Sequence, residues 1–188
     1  MHTSSTVVNH LQTIFEEDEK VAVLCVYCNY KDQIEQTVSN LVASLLKQIV
    51  QDLRACVDSV KPLYTRHENQ DTRPTLDEFT QAFEAAIGAY SKVFIVVDAL
   101  DECREDDATR AKFLRVLRSL PENVNLMVTS RNLPSIARDF DGIERLNIRA
   151  HDEDIRMYIE GRIALAPRHL KALQETIANK IVENAKGM

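Results

Sequence analysis

The chain has 188 residues, with 23 Lys and Arg against 29 Asp and Glu, so its formal net charge is −6. Hydrophobic residues make up 45% and charged residues 28%, a balance typical of a folded globular domain. The acidic charge argues against a nucleic-acid partner, because phosphate backbones are bound by clustered Lys and Arg. The chain has neither the apolar run of a membrane helix nor the start of a secretion signal, which predicts a cytoplasmic protein without a membrane partner.

The first part of the chain alternates helical and strand patterns. An amphipathic helix is predicted from about Ser4 to Glu16, followed by a strand at Val21–Tyr27. The polar stretch from Lys61 to Pro74 predicts a short helical piece and a loop. Between these segments lies a long predicted helix, whose apolar face comprises Ile34, Val38, Leu41, Val42, Leu45, Ile49 and Leu53.

The middle of the chain continues this alternation. Thr75 and Glu78 have the spacing of a capping box, which predicts a helix ending near Gly88. Val93–Val97 is continuously apolar and β-branched, the pattern of a strand buried on both faces. The elements predicted after it are a helix carrying Phe113, Leu114 and Leu117, a strand at Val124–Thr129, a short helix around Ile136, and a shorter strand at Ile143–Ile148.

The last part of the chain changes to helix. Asp152 is predicted to cap one helix, and Pro167 is predicted to open a second. Strands that alternate with helices predict a parallel, three-layer α/β sheet with flanking helices. We therefore expect an α/β core at residues 1–150 and a helical subdomain that begins at residues 151–188. The predicted inward apolar positions of the two helices are Ile155, Tyr158, Ile159, Ile163, Leu170, Leu173, Ile177, Ile181 and Val182.

The remaining charged residues and the cysteines give no indication of a functional site. The cations of the predicted helix around Phe113 indicate that one face of this helix is solvated. Glu105–Asp107 is interpreted as a run of charges that is also solvated. Cys25 and Cys28 are three apart on a strand and point to opposite faces unless the strand ends before Cys28, so buried reduced thiols are favoured over a bridge or metal site. The cations in question are Arg110, Lys112, Arg115 and Arg118.

The most informative motif is the end of the buried strand. Asp98 follows Val93–Val97, so its carboxylate is predicted at the carboxyl edge of the sheet, where α/β proteins bind ligands. Such a carboxylate can hold Mg²⁺ through water, and Asp101 and Glu102 add acidic groups within reach of a water that attacks a γ-phosphate. The alternative is that Asp98 caps the following helix and that the other two acids are surface charges.

A second motif, Thr129-Ser130-Arg131, follows the next strand at the same predicted edge. Thr129 and Arg131 are candidate nucleotide ligands, since an arginine there could sense or stabilise a γ-phosphate. A turn followed by a surface arginine is the other interpretation.

Together these motifs resemble the NACHT domain of fungal signal-transducing P-loop NTPases, which are similar to NOD-like receptors, with nephrocystin-type N-terminal domains close by. The matching segments are residues 7–11, 93–103, 126–131 and 154–163. The resemblance implies that Asp98 is the Walker B metal ligand, that Asp101 and Glu102 serve hydrolysis, and that Arg131 is a sensor. It also implies Mg²⁺ with ATP or GTP, a nucleotide-controlled signalling switch, and a cytoplasmic parent protein carrying ankyrin or WD repeats.

The sequence departs from that family in its phosphate loop. No G-x-x-x-x-G-K-[S/T] segment occurs, and none of the four glycines precedes Gly88. The resemblance therefore implies a chain that starts just after the Walker A loop, without the first strand of the family's 5-1-4-3-2 sheet. We then expect weak or no nucleotide binding, and closure of the gap beside Val124–Val128 by Ile143–Ile148 or by a second copy.

Three functions follow. The first is a fragment of a nucleotide-dependent switch with negligible hydrolysis of its own. The second is a non-catalytic interaction or oligomerisation module that binds full-length family members or itself through an exposed sheet edge. The third is an independent acidic-site enzyme using Asp98, such as a phosphohydrolase or a receiver-like phospho-acceptor, and it ranks last.

Overall fold

Three parallel strands form one sheet in the computed structural model, which describes residues 3–52, 57–148, 151–167 and 173–185. The strands are β1 (Val21–Tyr27), β2 (Lys92–Asp98) and β3 (Val124–Val128), and their order in the sheet is β1-β2-β3. Val21 is opposite Lys92, and Val93 is opposite Val124. The predicted parallel α/β fold is thus confirmed.

Helices connect the strands, and further helices come after β3 in the chain. Short 3-10 turns occur at Tyr30–Asp32 and at Leu100–Glu102. The predicted helix positions Leu53 and Leu170, and also Cys56, lie outside the described residues. The helices are α1 (Thr3–Ile14), α2 (Val38–Asp52), α3 (Val57–Gln70), α4 (Leu76–Ile87), α5 (Thr109–Ser119), α6 (Pro134–Asp139), α7 (Asp152–Ala164) and α8 (Gln174–Ala185).

Strand β2 is the centre of the core, as its continuous apolar run predicts. Val93, Ile95 and Val97 are fully buried and face the main apolar cluster, which the helices α2, α4 and α5 complete. On the other face of the sheet, α1 contacts β1 and β2, and Phe15 stacks on Phe94 with ring centroids 5.5 Å apart. A layer of helices therefore lies on each face of the sheet.

The predicted strand at Ile143–Ile148 is wrong. Residues 144–148 have no regular secondary structure, and Leu146 is 86% exposed. Alternating apolar residues form a strand only when a neighbouring strand pairs with them and one face is covered. The described sheet contains no such pairing, so the expected closure beside β3 by this segment is wrong too.

Four predicted inward residues lie at the surface; two of them are Leu173 (52% exposed) and Ile181 (44% exposed). Ile34 is 82% exposed, because the chain turns through Tyr30–Asp32 and α2 begins only at Val38. Tyr158 is 69% exposed, although Ile159 beside it is buried. Apolar periodicity identified these three helices but not the limits of their buried faces.

One predicted surface cation is buried. The side chain of Arg110 is 7% exposed, and it lies 2.8 Å from a carboxylate oxygen of Glu105 and 3.8 Å from one of Asp139. A buried guanidinium needs such partners, because its desolvation is otherwise unfavourable. Arg110 thereby connects the β2–α5 loop to α6, and the interpretation of a wholly solvated α5 face is wrong at this position.

The chain divides into two compact units, Met1–Asp141 and Gly142–Met188. In the second unit, Ile159 and Ile163 of α7 pack with Ala178 of α8. Asp152 is the first residue of α7, and His151 occupies the capping position that the sequence predicted for Asp152. None of the helices in the described ranges is long and apolar enough to cross a lipid bilayer.

The predicted capping box is present at the start of α4. Thr75 Oγ1 accepts from the Glu78 amide at 3.3 Å, and Glu78 Oε2 accepts from the Thr75 amide at 2.8 Å. The backbone hydrogen bond from Thr75 is the main reason why the pKa of Glu78 falls to about 2. Glu78 also bonds Arg66, which ties the start of α4 to α3.

We expect Thr75→Ala to lower the free energy of unfolding by about 1 kcal/mol, because it removes the side-chain acceptor of an N-terminal helix amide. Chemical denaturation at neutral pH measures the change. Thr65→Ala, at an exposed threonine of α3, serves as the matched control and should change stability by less than about 0.5 kcal/mol. Equal effects of the two substitutions would contradict the role of the cap.

Candidate functional site

The turn after β2 is built around a left-handed residue. Ala99 has φ 54°, a conformation that disfavours residues with a Cβ, and the 3-10 turn Leu100–Glu102 follows it. The end of β3 holds this turn: Thr129 Oγ1 accepts from the Ala99 amide at 3.1 Å, and the Thr129 carbonyl accepts from the Leu100 amide at 2.9 Å. Full burial of Leu100 anchors the turn to the core.

The carboxylate of Asp98 is held by two hydroxyl groups. Thr129 Oγ1 donates to Asp98 Oδ1 at 2.6 Å, and Ser4 Oγ donates to the same oxygen. Ser4 is the second residue of α1 and is only 3% exposed, so the carboxylate lies at the positive end of that helix dipole. In the described ranges, Asp98 Oδ2 has no hydrogen-bond donor, which leaves it available to a metal-bound water.

Asp101 forms a two-point pair with Arg131. Its Oδ2 accepts from Arg131 Nε at 2.5 Å, and its Oδ1 accepts from the Arg131 amide at 3.0 Å. The Asp101 side chain is 4% exposed, whereas that of Arg131 is 75% exposed. Burial by itself would raise the pKa of Asp101, but the bonds from Arg131 outweigh it and hold that pKa below its usual value.

Glu102 forms hydrogen bonds to the segment that follows β1. Its Oε2 accepts from the Tyr30 amide at 3.1 Å, and its carbonyl accepts from Gln33 Nε2 at 2.9 Å. The predicted catalytic carboxylate of Glu102 is therefore engaged with backbone in this structure. These contacts join the turn after β2 to the turn after β1.

Two buried thiols lie beneath this region. Cys28 and Cys103 are both free and buried, and the Cys28 amide donates to the Asp98 carbonyl at 3.0 Å. Burial is thus confirmed for Cys28, whereas Cys25 is free but only half-buried. A thiol–thiol hydrogen bond raises the pKa of Cys28, with burial adding to the effect, and lowers that of Cys103. Cys28 continues the side-chain alternation of β1 into the core beside Val26, on the face opposite Cys25, so the thiol that faces it is Cys103.

The predicted site residues thus lie at the carboxyl ends of β2 and β3, but in separate groups. Asp98 and Thr129 share one group with Ser4, Asp101 and Arg131 form a second, and Glu102 belongs to a third. Across the described residues, no three His, Cys, Asp or Glu side chains are grouped to hold a metal ion. Asp98 is the residue here that could hold Mg²⁺, because that ion keeps several waters and takes few protein ligands.

Sequence reasoning missed Ser4. The run Thr3-Ser4-Ser5-Thr6 shows a hydroxyl-rich helix start, yet nothing local indicates that Ser4 will meet a carboxylate 94 positions away. That contact depends on how α1 packs on β1 and β2. Ser5 is a further contact of this rim, since its side chain hydrogen bonds Tyr27.

We expect Arg131→Met to lower the free energy of unfolding by roughly 0.5–1 kcal/mol at pH 7, a modest effect because the guanidinium is largely solvated. A carboxyl with a depressed pKa contributes stability above its ordinary value of 3.8 and loses it as the pH falls further. The difference between wild type and variant should therefore shrink below pH 3.8 in denaturation curves. Arg115→Met, at an exposed α5 position, is the control, and a pH-independent difference would contradict the pairing.

Comparison with known proteins supplies one match. The family model described as nephrocystin 3, N-terminal, matches residues 2–131, more than half of the chain, whereas neither curated proteins nor solved structures gave a match. The matched segment includes all three strands, Asp98 with its two hydroxyl donors, and the Asp101–Arg131 pair. The chain therefore belongs to the nephrocystin 3 N-terminal family.

Proposed function

We propose that this chain supplies the Mg²⁺-binding half of a NACHT-type nucleotide switch, a signalling NTPase module that binds ATP or GTP when the domain is complete. The observation that carries the proposal is the Asp98 carboxylate, which ends the buried central strand and is oriented by the hydroxyls of Ser4 and Thr129. Ligands of open parallel sheets bind outside the carboxyl ends of the strands, where this carboxylate lies.

The roles of the residues follow from their surroundings. Asp98 would hold Mg²⁺ through water, and the ion would neutralise charge on the nucleotide phosphates. Thr129 positions Asp98, while Asp101 and Glu102 are the acids proposed to act on hydrolysis in a complete domain. The positive end of α1 adds a field that favours anions at this place.

Arg131 is the proposed sensor of the terminal phosphate. Its guanidinium is 75% exposed but already bonded to Asp101, so a phosphate would have to compete with that carboxylate. Such competition gives the site two states, one with Arg131 on Asp101 and one with Arg131 on nucleotide. The pair is therefore suited to a switch rather than to rapid turnover.

The 188 residues contain no glycine-rich phosphate loop with its lysine. Phosphoryl transfer depends on positioning and charge stabilisation, which that loop provides in P-loop proteins. We therefore propose weak nucleotide affinity and negligible hydrolysis for these residues alone.

Calorimetric titration with ATP and with GTP, each with and without Mg²⁺, tests the switch. We expect metal-dependent binding that Asp98→Asn weakens at least about tenfold, because the variant loses the charged Mg²⁺ ligand. Asp106→Asn is the matched control, since Asp106 follows the same strand but pairs with Arg104 at the surface. No heat at millimolar nucleotide, or equal effects of the two substitutions, would overturn the proposal for this chain.

The second candidate, a non-catalytic module that binds itself or full-length family members, rests on the edge formed by β3. The alternation along β3 directs the backbone groups of Leu126 and Val128 away from β2, and no described strand pairs with them. Leu126 is also 36% exposed, and unpaired strand edges of this kind recruit other chains.

Light scattering over a range of concentrations tests this candidate. We expect wild type to self-associate and Leu126→Lys to abolish the association, because a charge on an edge strand disfavours pairing. Ile14→Lys, which places the same charge at an exposed apolar residue of α1, should leave the association unchanged. A wild-type chain that stays monomeric at millimolar concentration would remove self-association from consideration.

A further inference from the structure

The other edge of the sheet, β1, is bordered by two glutamine side chains. Gln48 Oε1 accepts from the Cys25 amide at 2.9 Å, and Gln48 Nε2 donates to the Cys25 carbonyl at 2.8 Å. Gln36 Oε1 accepts from the Asn29 amide at 3.2 Å, and Gln36 Nε2 donates to the Tyr27 carbonyl at 3.3 Å. We refer to Gln36 and Gln48 as the glutamine clasp.

The clasp imitates the backbone of a neighbouring strand. One amide of Gln48 makes both bonds to Cys25, which is the pattern of a hydrogen-bonded residue pair in an antiparallel ladder. The amide of Gln36 joins the carbonyl of Tyr27 to the amide of Asn29, which is the pattern of one residue in a parallel ladder. These backbone groups point away from β2, because Cys28, between them, donates to Asp98.

Packing fixes the clasp in place. Leu45 and Ile49 of α2 are fully buried, so the helix has a defined position on the sheet and Gln48 is brought to its border. Gln48 Nε2 also donates to the Ser44 carbonyl at 3.2 Å, which orients the amide. Gln36 lies just before α2, and its backbone amide donates to the Asp32 carbonyl at 3.0 Å. A depression of about 420 Å³ between β1 and α2 is lined by both glutamines.

We propose that the glutamine clasp closes the carboxyl-terminal part of the β1 edge, from Cys25 to Asn29, against strand addition by a second copy of this chain. An incoming strand would have to displace four side-chain bonds to gain the same four backbone bonds, which leaves little net benefit. Without the clasp, the same groups would be an open template for another strand. The proposal is independent of any nucleotide role.

Amide hydrogen exchange and sedimentation of Gln36→Ala/Gln48→Ala test the clasp. At low concentration the Cys25 amide should exchange roughly five-fold faster than in wild type, the factor for one hydrogen bond of ordinary strength. As concentration rises, the variant should self-associate and the Cys25 amide should become protected again. Wild type should show neither a concentration-dependent change at Cys25 nor association through β1.

Two further double variants serve as controls for this experiment. Gln36→Glu/Gln48→Glu retains the acceptors, loses the donors and places charge on the edge, so it should lose stability without pairing through β1. Gln12→Ala/Gln81→Ala removes two exposed helical glutamines and should behave as wild type. If the double alanine variant does not fold, Gln48→Ala alone provides the exchange test. An unchanged Cys25 exchange rate, or no gain in self-association, overturns the proposal.

Discussion

Thr129 makes the contacts on which the candidate site depends. Its amide donates to the Val97 carbonyl, its carbonyl accepts from the Leu100 amide, and its hydroxyl accepts from the Ala99 amide while donating to Asp98. One residue at the end of β3 thus satisfies the polar groups of the strained turn after β2. A left-handed alanine persists only where its surroundings over-determine it. Without Thr129, Asp98 would keep only the bond from Ser4, and the turn that carries Asp101 would lose two hydrogen bonds.

The same turn separates two carboxylates that would otherwise repel each other. Asp98 is oriented toward the hydroxyls and the positive end of α1, while Asp101 is buried against Arg131. Each negative charge therefore has its own compensation, a helix dipole in one case and a guanidinium in the other. The acidic loop is thus compensated by groups of the chain itself, and a phosphate at this rim would have to compete with Asp101 for Arg131.

The sequence predicted those features that depend on local pattern. Short apolar segments located β1, β2 and β3, the Thr75–Glu78 spacing located a helix start, and the position after a buried run located Asp98. Contacts between distant segments could not be predicted in this way. The hydroxyl of Ser4, the buried guanidinium of Arg110 and the edge amide of Gln48 acquire their roles only when elements pack together. The strand predicted at Ile143–Ile148 was wrong for the same reason, because an alternating pattern does not specify a partner strand.

The two edges of the sheet show how backbone satisfaction can direct association. Every buried or half-buried backbone polar group needs a partner, and a strand edge exposes a row of them. At β1, side-chain amides from the flanking helix region provide partners at Cys25, Tyr27 and Asn29. At β3, the outward groups of Leu126 and Val128 have no such side chains among the described residues. An added strand would gain new backbone bonds beside β3, but beside Cys25 and Tyr27 it would only exchange the bonds that the glutamines already provide. Because Thr129 and Arg131 follow directly after β3, a chain that docks beside β3 would lie next to the acidic rim.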